Sequence, residues 1–294
     1  MPNAAPAVVQ TESPYRASDG CVLHTFRWSS RATDANPNAV VMIMHGYGEH
    51  CGRYREVAEA LVRAGYLACG FDARGHGRSP GQRGHIASFD RYVDDMHGFA
   101  SELRQRHAGL PLIILGHSNG GLIAIRTVQT RSPVADGLIV TAPLVALQRR
   151  HKPMPRWMAQ VLAALAKRLP VPSTVKSEDL THDLQIVEAH KRDKLNHSRC
   201  TPGWYVAATG AMLEVFANPQ SVNLPLLVFQ ADGDPIVLGE AVTRLFHAFG
   251  SKDKELVVCK NSLHELLNEV GREETFRRIT SWLSARWAPR AAAE

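Results

Sequence analysis

The stretch that decides the fold is Leu112-Ile-Ile-Leu-Gly-His-Ser-Asn-Gly-Gly-Leu122. An apolar run leads into Gly-His-Ser-Asn-Gly, and a segment rich in Ala, Ile and Leu follows at once. This order is typical of a strand, a sharp turn and a helix, with a serine held on the turn. Strand and helix approach so closely there that the residues two before and two after the serine must lack side chains. Gly116 and Gly120 meet that requirement, so Ser118 is the candidate nucleophile.

Outward from this stretch, strand-like and helix-like patterns alternate along the chain. Residues 15–28, with a turn at Asp19-Gly20, predict an antiparallel hairpin. Apolar runs typical of buried strands occur at 39–44, 66–71, 138–140, 225–230 and 255–258. Helical patterns separate them at 54–64, 89–107, 119–130 and 239–249, and a last helix runs to about Trp287. The pattern predicts an α/β fold, a mostly parallel central sheet with helices on both faces.

The alternation stops between residues 144 and 222, where the chain is rich in proline, basic residues and helical signals. We interpret this segment as a helical cap inserted in a core formed by residues 1–143 and 223–294. One helix within it carries an apolar stripe. The favoured interpretation is that this stripe packs on the main domain, and direct contact with a membrane is the alternative. The stripe consists of Trp157, Met158, Val161, Leu162, Leu165 and Leu169.

The net charge of +6 comes from one part of the chain. Residues 149–199 hold eleven Lys and Arg against five Asp and Glu, and the remainder balances at twenty-three against twenty-three. No basic run is interleaved with aromatic residues, so we expect no nucleic-acid partner. A basic face toward anionic lipid headgroups or anionic substrates, and a solvated face without a partner, are the two interpretations.

The chain shows no targeting or membrane-spanning pattern. Its first ten residues lack the basic start and apolar run of a secretory signal, and no stretch approaches the ~18 apolar residues of a membrane span. The cysteines are odd in number and scattered, which argues against a disulfide framework or a zinc site. We expect a soluble, cytoplasmic protein, at most peripheral to a membrane, with buried or half-buried thiols and a frayed tail beyond Pro289. The cysteines are Cys21, Cys51, Cys69, Cys200 and Cys259.

A serine hydroxyl needs an imidazole base, and the imidazole needs a carboxylate on its other nitrogen. In a serine hydrolase with this kind of turn, the chain order is serine, acid, histidine. Asp234 follows a late strand and His264 follows the last one, at the sheet edge where Ser118 emerges. Asp232 is the alternative acid, and Asp72 is interpreted as a turn-former. The other histidines in candidate loops precede the acid and so stand in the wrong order: His45, His50, His76, His85 and His117.

Acyl transfer also needs an oxyanion hole, usually a pair of backbone N–H donors. The N–H of Asn119 directly follows the nucleophile at the start of a helix, where the helix dipole assists. The second donor should come from the loop after the early strand, His45-Gly-Tyr-Gly48. We assign it to the N–H of Tyr47, which has a glycine on each side.

Four motifs together resemble the monoacylglycerol lipase and lysophospholipase branch of the α/β-hydrolases. They are His45-Gly-Tyr-Gly-Glu-His50 with Arg53-Tyr54, Asp72-Ala-Arg-Gly-His-Gly-Arg-Ser79 with Gly81-Gln-Arg-Gly84, Gly116-His-Ser-Asn-Gly-Gly121, and His264-Glu-Leu-Leu-Asn-Glu269. The resemblance extends from about Ser13 to Trp287.

This resemblance implies a Ser118-Asp234-His264 triad, which favours Asp234 over Asp232. It also implies oxyanion donors at Tyr47 and Asn119, and a helical cap that forms an acyl-chain tunnel. No metal and no organic cofactor are implied. Two positions depart from the family: Asn119 stands where Met is usual, and Ala231 stands where Gly is usual.

The expected function is therefore a serine ester hydrolase that cleaves a single-acyl lipid, a monoacylglycerol or a lysophospholipid, through an acyl-enzyme intermediate. A general carboxylesterase of the same fold is the nearest alternative. A catalytically silent binding protein is a rival from another class, since a fold does not by itself secure a function. Dehalogenases and epoxide hydrolases of this fold are excluded because they use a carboxylate nucleophile where this chain has Ser118.

Overall fold

The computed structural model describes residues 7–131, 133–148 and 154–287. Its strands are β1 (Val9–Arg16), β2 (Val22–Ser29), β3 (Val40–Met44), β4 (Leu67–Phe71), β5 (Leu112–His117), β6 (Gly137–Thr141), β7 (Val171–Pro172), β8 (Arg199–Cys200), β9 (Leu226–Ala231) and β10 (Lys254–Cys259). Its α-helices are α1 (Arg31–Ala35), α2 (Arg55–Arg63), α3 (Asp90–Arg106), α4 (Asn119–Thr130), α5 (Arg156–Ala166), α6 (Leu184–Arg192), α7 (Pro202–Ala217), α8 (Gly239–Ala248) and α9 (Arg272–Ser284).

Eight strands form one sheet in the order β1-β2-β4-β3-β5-β6-β9-β10. Strand β2 pairs antiparallel with β1 and β4, and every other neighbouring pair is parallel. Strand β5 leads into the sharp turn at Ser118, which we call the elbow, and lies between β3 and β6, near the middle of the sheet. The predicted mostly parallel sheet is confirmed, and the carboxyl ends of its parallel strands meet at one edge.

Side chains alternate between the two faces of the sheet because successive strand residues point to opposite sides. On β3, Val40, Met42 and Met44 join one hydrophobic cluster, and Val41 and Ile43 join the other. The first cluster contains buried residues of α3, α4, α7 and α8, and the second contains those of α2 and α9. Helices therefore cover both faces, as predicted.

Two elements at the start of the chain differ from the sequence prediction. The opening hairpin begins at Val9, and α1 was not predicted. Seven of the eight residues of β1 are exposed, so the strand lacks an apolar alternation that a sequence pattern could reveal. Helix α1 has only five residues, held by a capping box between Ser30 and Thr33.

The segment between β6 and β9 contains α5, α6, α7 and the two-residue strands β7 and β8, which pair antiparallel. Its apolar stripe does not pack on the main domain. Trp157 and Leu165 are 67% and 81% exposed, and the other four stripe residues are also exposed. Helix α5 instead packs against α7 with its alanine face, of which Ala159 is buried. The favoured interpretation of this stripe is therefore wrong.

Small residues explain this orientation of α5. Gly203, at the start of α7, donates its N–H to the carbonyl oxygen of Lys167 at 3.0 Å. A Cβ on Gly203 would lie 2.8 Å from that oxygen, so larger side chains at this contact would push the helices apart. Small residues therefore permit the close approach of α5 and α7, and the large apolar side chains of α5 lie on its exposed face.

Three sequence expectations concern residues outside the described ranges, either wholly or in part. Residues 149–153 of the basic segment and the tail beyond Pro289 lie outside them, as do the first six residues. In the described part of the chain, no helix combines the length and hydrophobicity required to cross a bilayer. All five cysteines have free thiols; Cys51 and Cys69 are buried and the other three are half-buried.

Candidate active site

Ser118 occupies the sharp turn between β5 and α4. Its backbone has φ 50° and ψ −116°, a strained conformation for a residue with a side chain. A Cβ on Gly116 would lie 2.6 Å from the carbonyl oxygen of Gly120, and a Cβ on Gly120 would overlap the carbonyl oxygens of Met44 and His45. The glycines are therefore sterically required, as the sequence spacing predicted.

The structure brings Ser118, Asp234 and His264 together at the carboxyl edge of the sheet. His264 Nε2 lies 2.8 Å from Ser118 Oγ, and His264 Nδ1 lies 2.8 Å from Asp234 Oδ2. All three residues are buried. With Nδ1–H donating to Asp234, Nε2 is free to accept the serine proton, so the arrangement can generate an alkoxide-like nucleophile.

The loop after β9 distinguishes the two candidate acids. Asp234 Oδ1 accepts hydrogen bonds from the N–H groups of Ile236 and Val237, at 2.8 and 2.9 Å, which leaves Oδ2 directed at His264. Asp232 instead faces the loop after β10, where Ser262 donates its N–H to Oδ1 at 3.5 Å. Asp232 therefore contacts the loop after β10, and Asp234 is the acid that reaches His264.

The charges around His264 favour its protonated form. Burial disfavours the imidazolium, but the charge and hydrogen bond of Asp234 outweigh it, with help from Glu265 and Glu49, so the pKa of His264 is raised. Burial also opposes ionisation of Asp234, yet His264 and two backbone N–H groups hold the pKa of that carboxyl below its ordinary value. The site can therefore stabilise the imidazolium that proton transfer from Ser118 would form.

The loop after β3 lies directly against Ser118. A Cβ on Gly46 would lie 3.4 Å from Ser118 Cβ, so only glycine lets the loop approach this closely. Within the described residues, the backbone N–H groups of Tyr47 and Asn119 donate to no protein acceptor. Unpaired donors on two segments beside a nucleophile are the arrangement that an oxyanion requires.

Comparison with known proteins identifies the family. Residues 35–271 match the family described as serine aminopeptidase, S33. This chain belongs to that family. The monoacylglycerol lipase of Mycolicibacterium smegmatis is 31% identical over 85% of this chain and 89% of its own length. The phospholipase YtpA of Bacillus subtilis is also 31% identical, over 85% and 96%.

A solved structure supports the same assignment. The crystal structure of a monoacylglycerol lipase from Paleococcus ferrophilus is similar with a TM-score of 0.80 and 28% identity, covering 90% of this chain and 98% of the other. The resemblance to the monoacylglycerol lipase and lysophospholipase branch of the α/β-hydrolases is confirmed.

The other histidines of this α/β-hydrolase have structural partners away from Ser118. His45 Nε2 accepts from the N–H of Ala73 at 2.9 Å, and His50 Nε2 lies 2.7 Å from Asp193 Oδ2. His85 Nδ1 lies 3.1 Å from Thr201 Oγ1, and His76 Nδ1 lies 3.2 Å from the carbonyl oxygen of Arg74.

His117 lies beside His264. Its ring centroid lies 4.9 Å from that of His264, and its Nδ1 lies 2.9 Å from Thr141 Oγ1. Burial, with the adjacent His264, lowers the pKa of His117 to about 4. His117 is therefore neutral wherever His264 titrates.

Asp72 holds the glycine-rich turn after β4. Its Oδ1 accepts the N–H of Cys51 and its Oδ2 that of Arg78, each at 2.8 Å. Asp72 therefore acts as a turn-former, as interpreted from the sequence.

A buried charged cluster next to His264 has no counterpart among the roles predicted from the sequence. Ligand atoms of Glu49, His117 and Glu265 lie within 4.8 Å of one another, a spacing that could hold a metal ion. Arg53 forms ion pairs with both carboxylates, so the cluster is an ion-pair network whose carboxylates already have a cation. The signal available in the sequence was the motif Gly-Glu-His-Cys-Gly-Arg-Tyr, which places an acid and a base four residues apart.

Proposed function

We propose that this chain is a serine ester hydrolase that cleaves the acyl ester of a single-acyl lipid, a monoacylglycerol or a lysophospholipid. The observation that carries the proposal is the buried chain of two 2.8 Å contacts from Ser118 through His264 to Asp234. Two relatives named a monoacylglycerol lipase and a phospholipase support the substrate class.

In the proposed reaction, Ser118 Oγ attacks the ester carbonyl carbon while His264 Nε2 takes its proton. The oxyanion accepts hydrogen bonds from the N–H groups of Tyr47 and Asn119, each worth about 3 kcal/mol of transition-state stabilisation. The tetrahedral intermediate collapses, and His264 returns the proton to the leaving alcohol. Water, deprotonated by His264, then attacks the acyl-enzyme and releases the fatty acid and free Ser118.

Hydrolysis of a medium-chain monoacylglycerol by the Ser118→Ala variant tests the nucleophile. We expect turnover to fall by about 10⁴-fold or more, because the acyl-enzyme can no longer form. A fluorophosphonate should label the wild type and leave Ser118→Ala unlabelled, and Ser101→Ala on α3 should behave as the wild type. Near-normal turnover of Ser118→Ala would refute the mechanism.

A panel of monoacylglycerols, lysophospholipids and short soluble esters tests the substrate class. We expect the highest kcat/KM on single-acyl lipids. A profile that peaks at the shortest esters would instead indicate the general carboxylesterase.

We further propose that residues 144–222 act as a cap which contacts anionic membrane surface from the cytoplasmic side. The exposed apolar stripe on α5 supports this, because large apolar side chains gathered on one exposed helix face are typical of an interfacial helix. The basic surplus of residues 149–199 supplies charge complementary to anionic headgroups.

Binding to vesicles containing anionic lipid tests the cap proposal. Replacing Trp157 and Leu165 by Gln should weaken binding by roughly 10- to 150-fold for each side chain, since each substitution removes about 1.5–3 kcal/mol of apolar burial in the membrane interface. The matched control is Leu184→Gln, which removes an equally exposed leucine from α6. Binding should also weaken at high salt, and hydrolysis of long-acyl substrates should suffer more than that of short soluble esters. Unchanged vesicle binding in the double variant would exclude this surface.

A further inference from the structure

Three charged side chains form a buried network beside the proposed active site. Arg53 Nη1 and Nη2 donate to the two carboxylate oxygens of Glu265 at 2.7 Å each, and Nη1 also donates to Glu49 Oε2. The exposed fraction of each side chain is below 10%. A fork of guanidinium N–H groups that pairs with both oxygens of a carboxylate has a single preferred geometry, so the network is rigid.

Each end of the network holds a loop of the active site. Glu49 Oε1 accepts the backbone N–H of Gly46 at 2.6 Å, next to Tyr47. Glu265 directly follows His264 in the chain, and Asn268 donates its side-chain amide to Glu265 Oε2 at 2.9 Å. The network therefore joins the loop that carries the proposed oxyanion donor to the loop that carries the proposed base.

Stability alone does not account for such a network. Replacing a buried ion pair by apolar groups of similar volume is often neutral or stabilising, because removing the charges from water costs about as much as their attraction returns. A rigid charged link between two loops does, however, fix the distance between them.

The network also carries an excess of negative charge. Two carboxylates share one guanidinium, and both remain ionised because Arg53 holds the pKa of Glu49 and of Glu265 below their ordinary values despite burial. The charged or titratable groups around His264 are Asp234, Glu265, Glu49 and neutral His117. The surplus carboxylate charge thus favours the imidazolium form of His264.

We propose that Glu49, Arg53 and Glu265 are positioning residues that hold the Gly46-Tyr47 loop at a fixed distance from His264 during acyl transfer. The inference rests on the proposed function, since it assigns these residues to the reaction at Ser118. None of the three is required to touch the substrate, so their loss should lower kcat more than it changes KM.

The test compares Glu49→Gln and Glu265→Gln with the wild type on a medium-chain monoacylglycerol. The concentration of active sites is titrated with a fluorophosphonate. We expect kcat per titrated site to fall by roughly 10- to 100-fold, with KM within about twofold, because a displacement of about 1 Å costs this much. The acid limb of kcat/KM should also move to lower pH, since one carboxylate that favours the imidazolium is lost.

A matched control is available on the neighbouring helix. Glu59 accepts from Arg55 and Arg63 at 2.9 and 2.7 Å on the surface of α2. Glu59→Gln removes the same charge and two ion pairs at a distance from the loops, and should leave kcat and the pH profile unchanged.

Coupling within the network provides a second criterion. In the Glu49→Gln/Glu265→Gln double variant, the loss of kcat should be no greater than that of the worse single variant, because either change already breaks the link. Losses that multiply, or values of kcat within twofold of the wild type in both single variants, would overturn the proposal.

A milder variant keeps the test decisive if the glutamine variants do not fold. Tyr54→Phe removes only the hydroxyl that donates to Glu49 Oε1 at 2.7 Å. It should lower kcat several-fold at constant KM, and an unchanged kcat would overturn the proposal. If Ser118→Ala is inactive while the network variants are normal, this inference alone fails; if Ser118→Ala is active, the proposed function fails.

Discussion

His264 is the residue whose protonation state controls the proposed chemistry, because only the neutral imidazole can take the proton of Ser118. Asp234 raises the pKa of His264 above its ordinary value of 6.5 despite burial. We therefore expect kcat/KM to rise with pH through an acid limb whose midpoint lies above 6.5. His117, with a pKa of about 4, does not titrate in this range. A pH series with a soluble ester measures the midpoint, and a midpoint clearly below 6.5 would contradict this assignment.

Asn119 combines a proposed role for its backbone with an unsatisfied side chain. The residue is buried, and within the described part of the chain Asn119 Oδ1 has no hydrogen-bond partner. Such an oxygen costs about 1–3 kcal/mol, so the near-isosteric Asn119→Leu should increase the free energy of unfolding by about 1 kcal/mol. Turnover should change only a few-fold because the proposed oxyanion donor is the backbone N–H.

Urea unfolding and kcat measurements test the Asn119 prediction. The control is Asn268→Leu, which should lower the free energy of unfolding because Asn268 Nδ2 donates to Glu265. A hundredfold loss of kcat in Asn119→Leu would show that the amide itself takes part in the reaction.

At the scale of elements, the close packing of α4 on β3 and β5 sets the position of Ser118. Gly120→Ala would overlap the carbonyl oxygens of Met44 and His45, so we expect a loss of at least about 2 kcal/mol or no soluble protein. Gly210 lies inside α7, and a Cβ added there would have its nearest neighbouring atom 4.0 Å away, so Gly210→Ala should gain about 0.5–1 kcal/mol. Chemical denaturation of both variants measures the contrast, and equal stabilities would show that the elbow is not tightly packed.

At the scale of the whole molecule, the proposed cap shares its interior with the core. Buried residues of α7 such as Met212 and Val215 lie in the same hydrophobic cluster as Leu122 of α4 and Val228 of β9. We therefore expect calorimetry to show one cooperative unfolding transition, although residues 144–222 are inserted between strands.

Two methionine variants sharpen the calorimetric test. Met212→Ala should destabilise the whole transition by about 2–5 kcal/mol because it creates a buried cavity. Met158→Ala, on the exposed stripe of α5, should leave the transition unchanged. The cap would be shown to unfold independently if a separate transition appeared at lower temperature and only this transition shifted in Met212→Ala.

Much of this molecule could be predicted because its signals are local. The glycines at positions 116 and 120 follow from a steric conflict within a few residues, and β3 and β5 are recognisable since strands buried on both faces are uniformly apolar. Strand β1 and helix α1 could not be predicted in the same way. One is exposed and the other is very short, so neither carries a periodic apolar pattern.

By itself, the sequence determined the α/β fold, the elbow at Ser118 and the chain order of the proposed triad, because short-range sterics and strand periodicity encode them. The tertiary structure decided which face of α5 is exposed, since helical periodicity shows that a stripe exists but not what covers it. It also decided that Glu49 and Glu265 meet at Arg53. Arg53 and Glu265 are 212 positions apart in the chain, and the parallel sheet brings them together. No local sequence pattern could therefore predict this contact.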